Sequence, residues 1–177
     1  MTGSRRLSHA ISEGTGISIV VEVADRAGAQ AAEIDGAKAV AVTGVAVGVR
    51  EATALPLIWR AEGRLREAQE AGADAVVIAV GWDGFEDLVE EAHELGLEPV
   101  LQVEGEDEIE RVLEHVDPEI LLLAGEGELG RLLALLSDVP AGKLAIAELA
   151  GGGSDEVAEL ERAGVDAVLI RGSGVLA

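Results

Sequence analysis

The chain has 177 residues, enough for one domain with a sizeable core, and 49% of them are apolar although Trp59, Trp82 and Phe85 are the only aromatic ones. With 34 acidic against 13 basic residues the formal net charge is −21, a field that repels nucleic acid and anionic membrane surfaces. The absence of cysteine excludes disulfides, thiolate metal sites and thiol nucleophiles.

No apolar run approaches the roughly 18 residues that a membrane span needs, and the N-terminus lacks a signal-peptide pattern. The expectation is a soluble cytoplasmic protein with no nucleic-acid or membrane partner. Most of the acids read as solvated helix faces. The core must be assembled from Ala, Val, Leu and Ile.

Taken in order, residues 1–16 form an N-terminal extension with a short helix, and residues 17–177 form a single domain. The first strand, Ser18–Val23, is an apolar run interrupted by Glu22, and a short alanine-rich helix, Ala27–Asp35, follows it. Strand Ala39–Thr43, a weak helix over Val45–Thr53 and strand Leu55–Trp59 come next. Helix Gly63–Ala71 leads to strand Ala75–Val80, and helix Gly84–Leu95 to strand Pro99–Val103. Helix Asp107–His115, strand Ile120–Leu123, helix Glu128–Leu136, strand Leu144–Glu148, helix Ser154–Ala163 and strand Ala167–Ile170 complete the chain.

Three joints repeat one phrase: "EAGADAVVIAV", "ELGLEPVLQV" and "RAGVDAVLIR". Each is a helix closed by a glycine in the left-handed cap position, with a strand two or three residues later. Strands that alternate with single helices run parallel, and near-continuous apolar strands fit a sheet covered on both faces. Eight such units predict a compact (β/α)8 TIM barrel with shortened loops and helices. A doubly wound open sheet is the competing arrangement, but it requires edge strands of different character, and none stands out.

Four segments, in order and at consistent spacing, resemble the indole-3-glycerol phosphate synthase family. "LSHAISEGTGISIVVEV" is similar to the approach to that family's first strand and its A-E-V-K motif. "LPLIWRAEGRLREAQEAGADAVVIAV" is similar to its P-V-L-x-K-D-F-I stretch and the helix that follows. "LVEEAHELGLEPVLQVEGEDEIERVLE" resembles A-x-x-L-G-L-x-x-L-V-E-V-H, and "AIAELAGGGSDEVAELERAGVDAVLI" resembles S-E-S-G-I followed by G-x-D-A-V-L-V-G. The likeness runs from about Leu7 to the C-terminus and marks the chain as a divergent, unusually short relative.

The resemblance implies site residues. The family's first-strand and seventh-strand glutamates fall on Glu22 and Glu148. Its third-strand lysine, a general acid, falls on Arg60, and its fifth-strand glutamate on Gln102. The lysine after the first glutamate falls on Ala24, and the sixth-strand N-N-R motif has no counterpart. A guanidinium does not release a proton near neutral pH, so Arg60 is a poor replacement for a general acid. The implied phosphate site is Gly151, Gly152 and Gly153 after strand seven, with Arg171, Gly172 and Ser173 after strand eight. Ala150 and Arg171 stand where the family has glycine. Ser154, followed by Asp155 and Glu156, also reads as an ordinary helix N-cap.

The expected function is therefore that of a synthase-like barrel that has lost the synthase reaction, keeping at most a small phosphorylated ligand. Two alternatives stay open: an active carboxy-lyase in which Arg60 acts electrostatically, and a structural or partner-binding barrel without ligand. His9, His93 and His115 lack metal-ligand spacing, and no metal or cofactor is expected. Trp82, after strand four, is placed either to stack on a planar ligand or to pack.

Overall fold

A computed structural model describes residues 5–14, 16–44, 47–60, 64–81, 83–126, 128–151 and 153–171. Its eight strands are β1 (Ser18–Glu22), β2 (Ala39–Val42), β3 (Leu57–Trp59), β4 (Ala75–Ala79), β5 (Glu98–Val103), β6 (Ile120–Leu123), β7 (Leu144–Leu149) and β8 (Ala167–Ile170). Helix α1 (Arg6–Ser12) precedes β1. The helices between strands are α2 (Arg26–Ile34), α3 (Val49–Ala52), α4 (Leu65–Glu70), α5 (Phe85–Glu94), α6 (Glu106–His115), α7 (Leu129–Leu136) and α8 (Ser154–Ala163). Each strand pairs in parallel with its sequence neighbours, and β8 pairs with β1, so the sheet closes into a compact (β/α)8 barrel. Closure removes the open edges that a doubly wound sheet would have.

Two apolar layers hold the fold. Outward-facing strand residues such as Val40, Leu57, Trp59, Ile78 and Leu121 pack beneath the helices, against Ala29, Val89, Ile109, Leu132 and Leu160. Inward-facing residues fill the barrel itself: Val20, Ala39, Ala41, Ile58, Ala75, Val100, Ile120, Leu122, Ile146, Ala167 and Leu169. Alanines on β2, β4 and β8 leave room for larger side chains from the other strands, as close packing of a narrow interior requires.

Helix α1 completes this inner layer. Leu7 and Ile11, 0% and 3% exposed, pack against the interior cluster and plug the N-terminal end of the barrel. The first turn of α1 has no side-chain cap of its own. Glu98, the first residue of β5, supplies one from about ninety positions away: its Oε1 accepts from Leu7 N at 3.2 Å and Ser8 N at 3.3 Å. Nearby, Asp74 collects Arg6 Nη1 at 3.0 and 3.1 Å, Arg50 Nη1 at 3.0 Å and the Leu57 amide at 2.9 Å.

Five of the eight strands differ from the sequence expectation by one residue at one end, and β6 and β8 agree at both ends. β3 differs by two, starting at Leu57 instead of Leu55. Pro56 has no N–H to add to a ladder, and the Leu57 N–H goes to Asp74 instead of a neighbouring strand. Helix α3 is a single turn; the predicted starts of α3 and α4, Val45 and Gly63, lie outside the described residues. The glycine joints are as read: Gly72, Gly96 and Gly164 have φ of +80°, +74° and +101°. Among the described residues no helix is long and apolar enough to cross a membrane.

Candidate functional site

Side chains alternate between the two faces of a strand, so the residue two beyond an inward-facing one also faces inward. That parity carries the inner layer upward from Val20 to Glu22, Ile58 to Arg60, Val100 to Gln102, Ile146 to Glu148 and Leu169 to Arg171. Arg60 and Arg171 each lie one residue past a strand's end. Their amides still extend the ladders, donating to Val42 O at 2.8 Å and Leu149 O at 3.0 Å. Five polar residues from five strands thus stand at the C-terminal mouth, the end at which barrels of this type do chemistry.

Arg60 is at the centre. Its Nη1 donates to Glu22 Oε2 at 3.1 Å and its Nη2 to Glu148 Oε1 at 2.9 Å. Arg171 Nε comes to 2.8 Å of the same Glu148 oxygen, but the N–H is not directed at it, so the contact is an ion pair without a hydrogen bond. The side chains grade from deep to open: Glu148 is 6% exposed, Arg60 11%, Glu22 24% and Arg171 41%. Two carboxylates face two guanidinium groups, so the buried charges balance formally. Gln102 shares the layer, yet among the described residues its amide side chain has no hydrogen-bond partner.

Ionised carboxylates only accept hydrogen bonds and guanidinium groups only donate them. The cluster therefore sets the acceptors of Glu22 and Glu148 beside the donors of Arg60 and Arg171. Among the described residues no group of three or more His, Asp or Glu side chains is placed to hold a metal ion.

The loop after β7 is described in part. Gly151 has φ +94° with open space where a Cβ would stand. Gly153, extended at φ −68° and ψ 139°, is the N-cap of α8. This corrects the sequence reading of Ser154 as the cap: Ser154 is already helical, and the Gly153 carbonyl accepts from Val157 N at 3.1 Å. Asp155 and Glu156 occupy the first turn. Gly152, Gly172, Ser173 and Trp82 lie outside the described residues.

Sequence reasoning missed Glu98, a carboxyl pushed above its ordinary value chiefly by burial, with a smaller contribution from neighbouring Glu119. It also missed Asp74. Away from the mouth, a cavity of about 650 Å³ opens between α5 and the segment after α6, with His93 and Pro99 in its lining. Of its carboxylates, Asp117 and Glu119 are paired with Lys143 and Arg5, and Glu86, Glu90 and Glu98 line it as well.

The chain is 25% identical over 135 residues to the indole-3-glycerol phosphate synthase of Halalkalibacterium halodurans, covering 69% of this chain and 52% of that protein. It is 30% identical over 115 residues to indole-3-glycerol phosphate synthase 1 of Streptomyces coelicolor, covering 60% and 43%. The chain thus spans about half the length of the curated relatives it matches. No protein-family profile matches it.

Among solved structures, the N-acetylmannosamine-6-phosphate 2-epimerase of Clostridium perfringens superposes with a TM-score of 0.72 at 15% identity, over 88% of this chain and 86% of that one. Oxaloacetate acetylhydrolase bound to 3,3-difluorooxalacetate superposes with 0.70 at 12% identity, over 96% and 80%. At such identities the likeness shows the barrel fold alone.

Proposed function

We propose that this chain is a divergent indole-3-glycerol phosphate synthase-like barrel that holds a small phosphorylated ligand at its C-terminal mouth and does not carry out the synthase reaction. One observation carries the reading. Arg60, in the position implied for a lysine acid, is hydrogen-bonded to both Glu22 and Glu148, the two glutamates that the resemblance retains. A ring-closing condensation with decarboxylation needs a proton donor, and a guanidinium tied between two carboxylates is a stable ion cluster instead. Loss of one general acid removes a factor of about 10²–10⁴ in rate. Gln102, where the resemblance implies a third glutamate, removes a carboxylate from the same layer.

The phosphate half of the reading draws on Gly151 and Gly153, a glycine-bearing turn that leads into the N-terminus of α8. It also draws on Arg171, a half-open cation beside that turn.

The test is a titration of isotope-labelled protein with the synthase substrate, the carboxyphenylamino-deoxyribulose phosphate, while carbon dioxide release is monitored. Amide shifts at Gly151 and Gly153 without carbon dioxide are the expected outcome. Shifts accompanied by turnover would establish the active lyase in place of this reading. No shifts at millimolar ligand would leave a barrel without this ligand.

A further inference from the structure

Glu148 Oε1 is shared by two cations of different standing. Arg60 donates to it at 2.9 Å and commits its other Nη group to Glu22 at 3.1 Å. Arg171 Nε lies 2.8 Å from the same oxygen with its N–H turned away, and among the described residues the Arg171 guanidinium makes no hydrogen bond. Its side chain is 41% exposed against 11% for Arg60. The Arg171 backbone is fixed by its bond to Leu149 O, which registers it beside the first residues of the β7–α8 loop. One guanidinium is held by hydrogen-bond geometry, and the other by charge alone.

We propose that Arg171 is the specificity-determining cation of this mouth: it leaves Glu148 to clamp the phosphate of a phosphomonoester, so that Glu148 and the ligand compete for one guanidinium. The proposal rests on the phosphate-binding reading above. Three features support it. A guanidinium pairs in two-point fashion with a phosphate, which returns two charge-assisted hydrogen bonds for an undirected contact. When Arg171 departs, Arg60 still bonds both glutamates, so no buried carboxylate is stranded. Asp155 and Glu156, in the first turn of α8, oppose an anion at that helix end, so backbone amides there need a side-chain cation to help them.

The experiment is a double-mutant cycle read with inorganic phosphate as the probe, following the Gly151 and Gly153 amides in the wild type, Glu148→Gln, Arg171→Ala and the double variant. Arg171→Ala is expected to weaken phosphate binding roughly tenfold, and Glu148→Gln to tighten it by a similar factor. In the Arg171→Ala background, Glu148→Gln should change affinity by less than about twofold.

An equal gain from Glu148→Gln in both backgrounds overturns the proposal, because removal of a nearby negative charge would then explain everything. Unchanged binding by Arg171→Ala, with a wild type that binds, overturns it while the phosphate-binding reading stands. Where the wild type does not bind, binding by Glu148→Gln but not by the double variant supports the competition, and binding by both proteins that carry Glu148→Gln overturns it. No binding by any of the four proteins overturns both readings. Thermal unfolding monitors the fold, and where Arg171→Ala fails to fold, Arg171→Lys replaces it with weakened binding expected, since an ammonium cannot clamp at two points.

Discussion

Arg60 Nη2 sits 2.9 Å from Glu148 Oε1, across 88 positions of sequence and in a part-buried setting. Neither group is tolerable there alone. Desolvating a charge costs several kcal/mol, which only its partner and the remaining hydrogen bonds offset. Arg60→Met is therefore expected to destabilise the barrel by about 3 kcal/mol, the low end for breaking a buried pair, because Glu22 keeps some solvent and Arg171 still faces Glu148. Adding Glu148→Gln to Arg60→Met should recover part of that loss. Urea unfolding of the three proteins measures it, and an Arg60→Met protein as stable as the wild type would show the cluster to be energetically idle.

Glu98 makes the N-terminal end of the barrel sensitive to pH. Burial raises its carboxyl above the ordinary value of 4.5, against the opposing effect of hydrogen bonds from Ser8 and Leu7. In the window from that ordinary value up to the raised one, the folded protein binds more protons than the unfolded chain, so stability falls as pH rises. The contribution is fully present below the unfolded value and lost through the folded one. Glu98→Gln keeps an oxygen for the two amides and removes the titration. Its stability relative to the wild type should therefore rise with pH across the window. A flat difference between pH 4 and pH 8 would contradict this.

Helix α1 is a plug instead of a loose leader. Leu7 is 0% exposed within the inner apolar cluster of the barrel, so Leu7→Ala removes packing that the narrow interior cannot refill by collapse. The expected cost is about 3 kcal/mol, within the range for buried leucine truncations. Thermal unfolding of Leu7→Ala beside the wild type measures this, and an unchanged midpoint would show that α1 contributes no packing to the barrel.

The fold was legible because its signals are local and repeated. Valine-rich runs, glycine caps and short helical stretches each occupy ten residues or fewer, and eight repetitions leave one closed arrangement. Glu22, Arg60 and Glu148 were legible through a resemblance that sets each near the C-terminal end of a strand. What stayed hidden was long-range. Nothing in "LGLEPV" announces that Glu98 caps a helix about ninety residues earlier. Asp74 was within reach: "GADA" and "GVDA" repeat the same aspartate, and each accepts an amide from the preceding strand, Asp74 from Leu57 and Asp166 from Ala145, both at 2.9 Å. The repeat was read for its glycine alone. The second half of the signal, a carboxylate that fastens strand to strand, went unread because side-chain-to-backbone bonds leave no periodicity.

That fastening makes one glycine cap unlike another. Gly72 and Gly96 share a positive φ, +80° and +74°, and an alanine at either costs about 1 kcal/mol for the left-handed backbone. At Gly96 the new Cβ meets nothing within 4 Å. At Gly72 it would stand 2.7 Å from Arg50 Cδ and 2.9 Å from Cγ, and so displace the side chain that bonds Asp74, the Gly72 carbonyl, and the Thr53 and Leu55 carbonyls. Those bonds are part-buried, and loss of even one leaves an acceptor short at about 1–3 kcal/mol. Gly72→Ala should accordingly cost at least twice as much as Gly96→Ala in urea unfolding. The excess should shrink when Arg50 is first replaced by Ala, because the clash and the network disappear together. Equal costs in the two single variants would mean that Arg50 moves aside freely, and that Asp74 is held by Arg6 and the Leu57 amide without it.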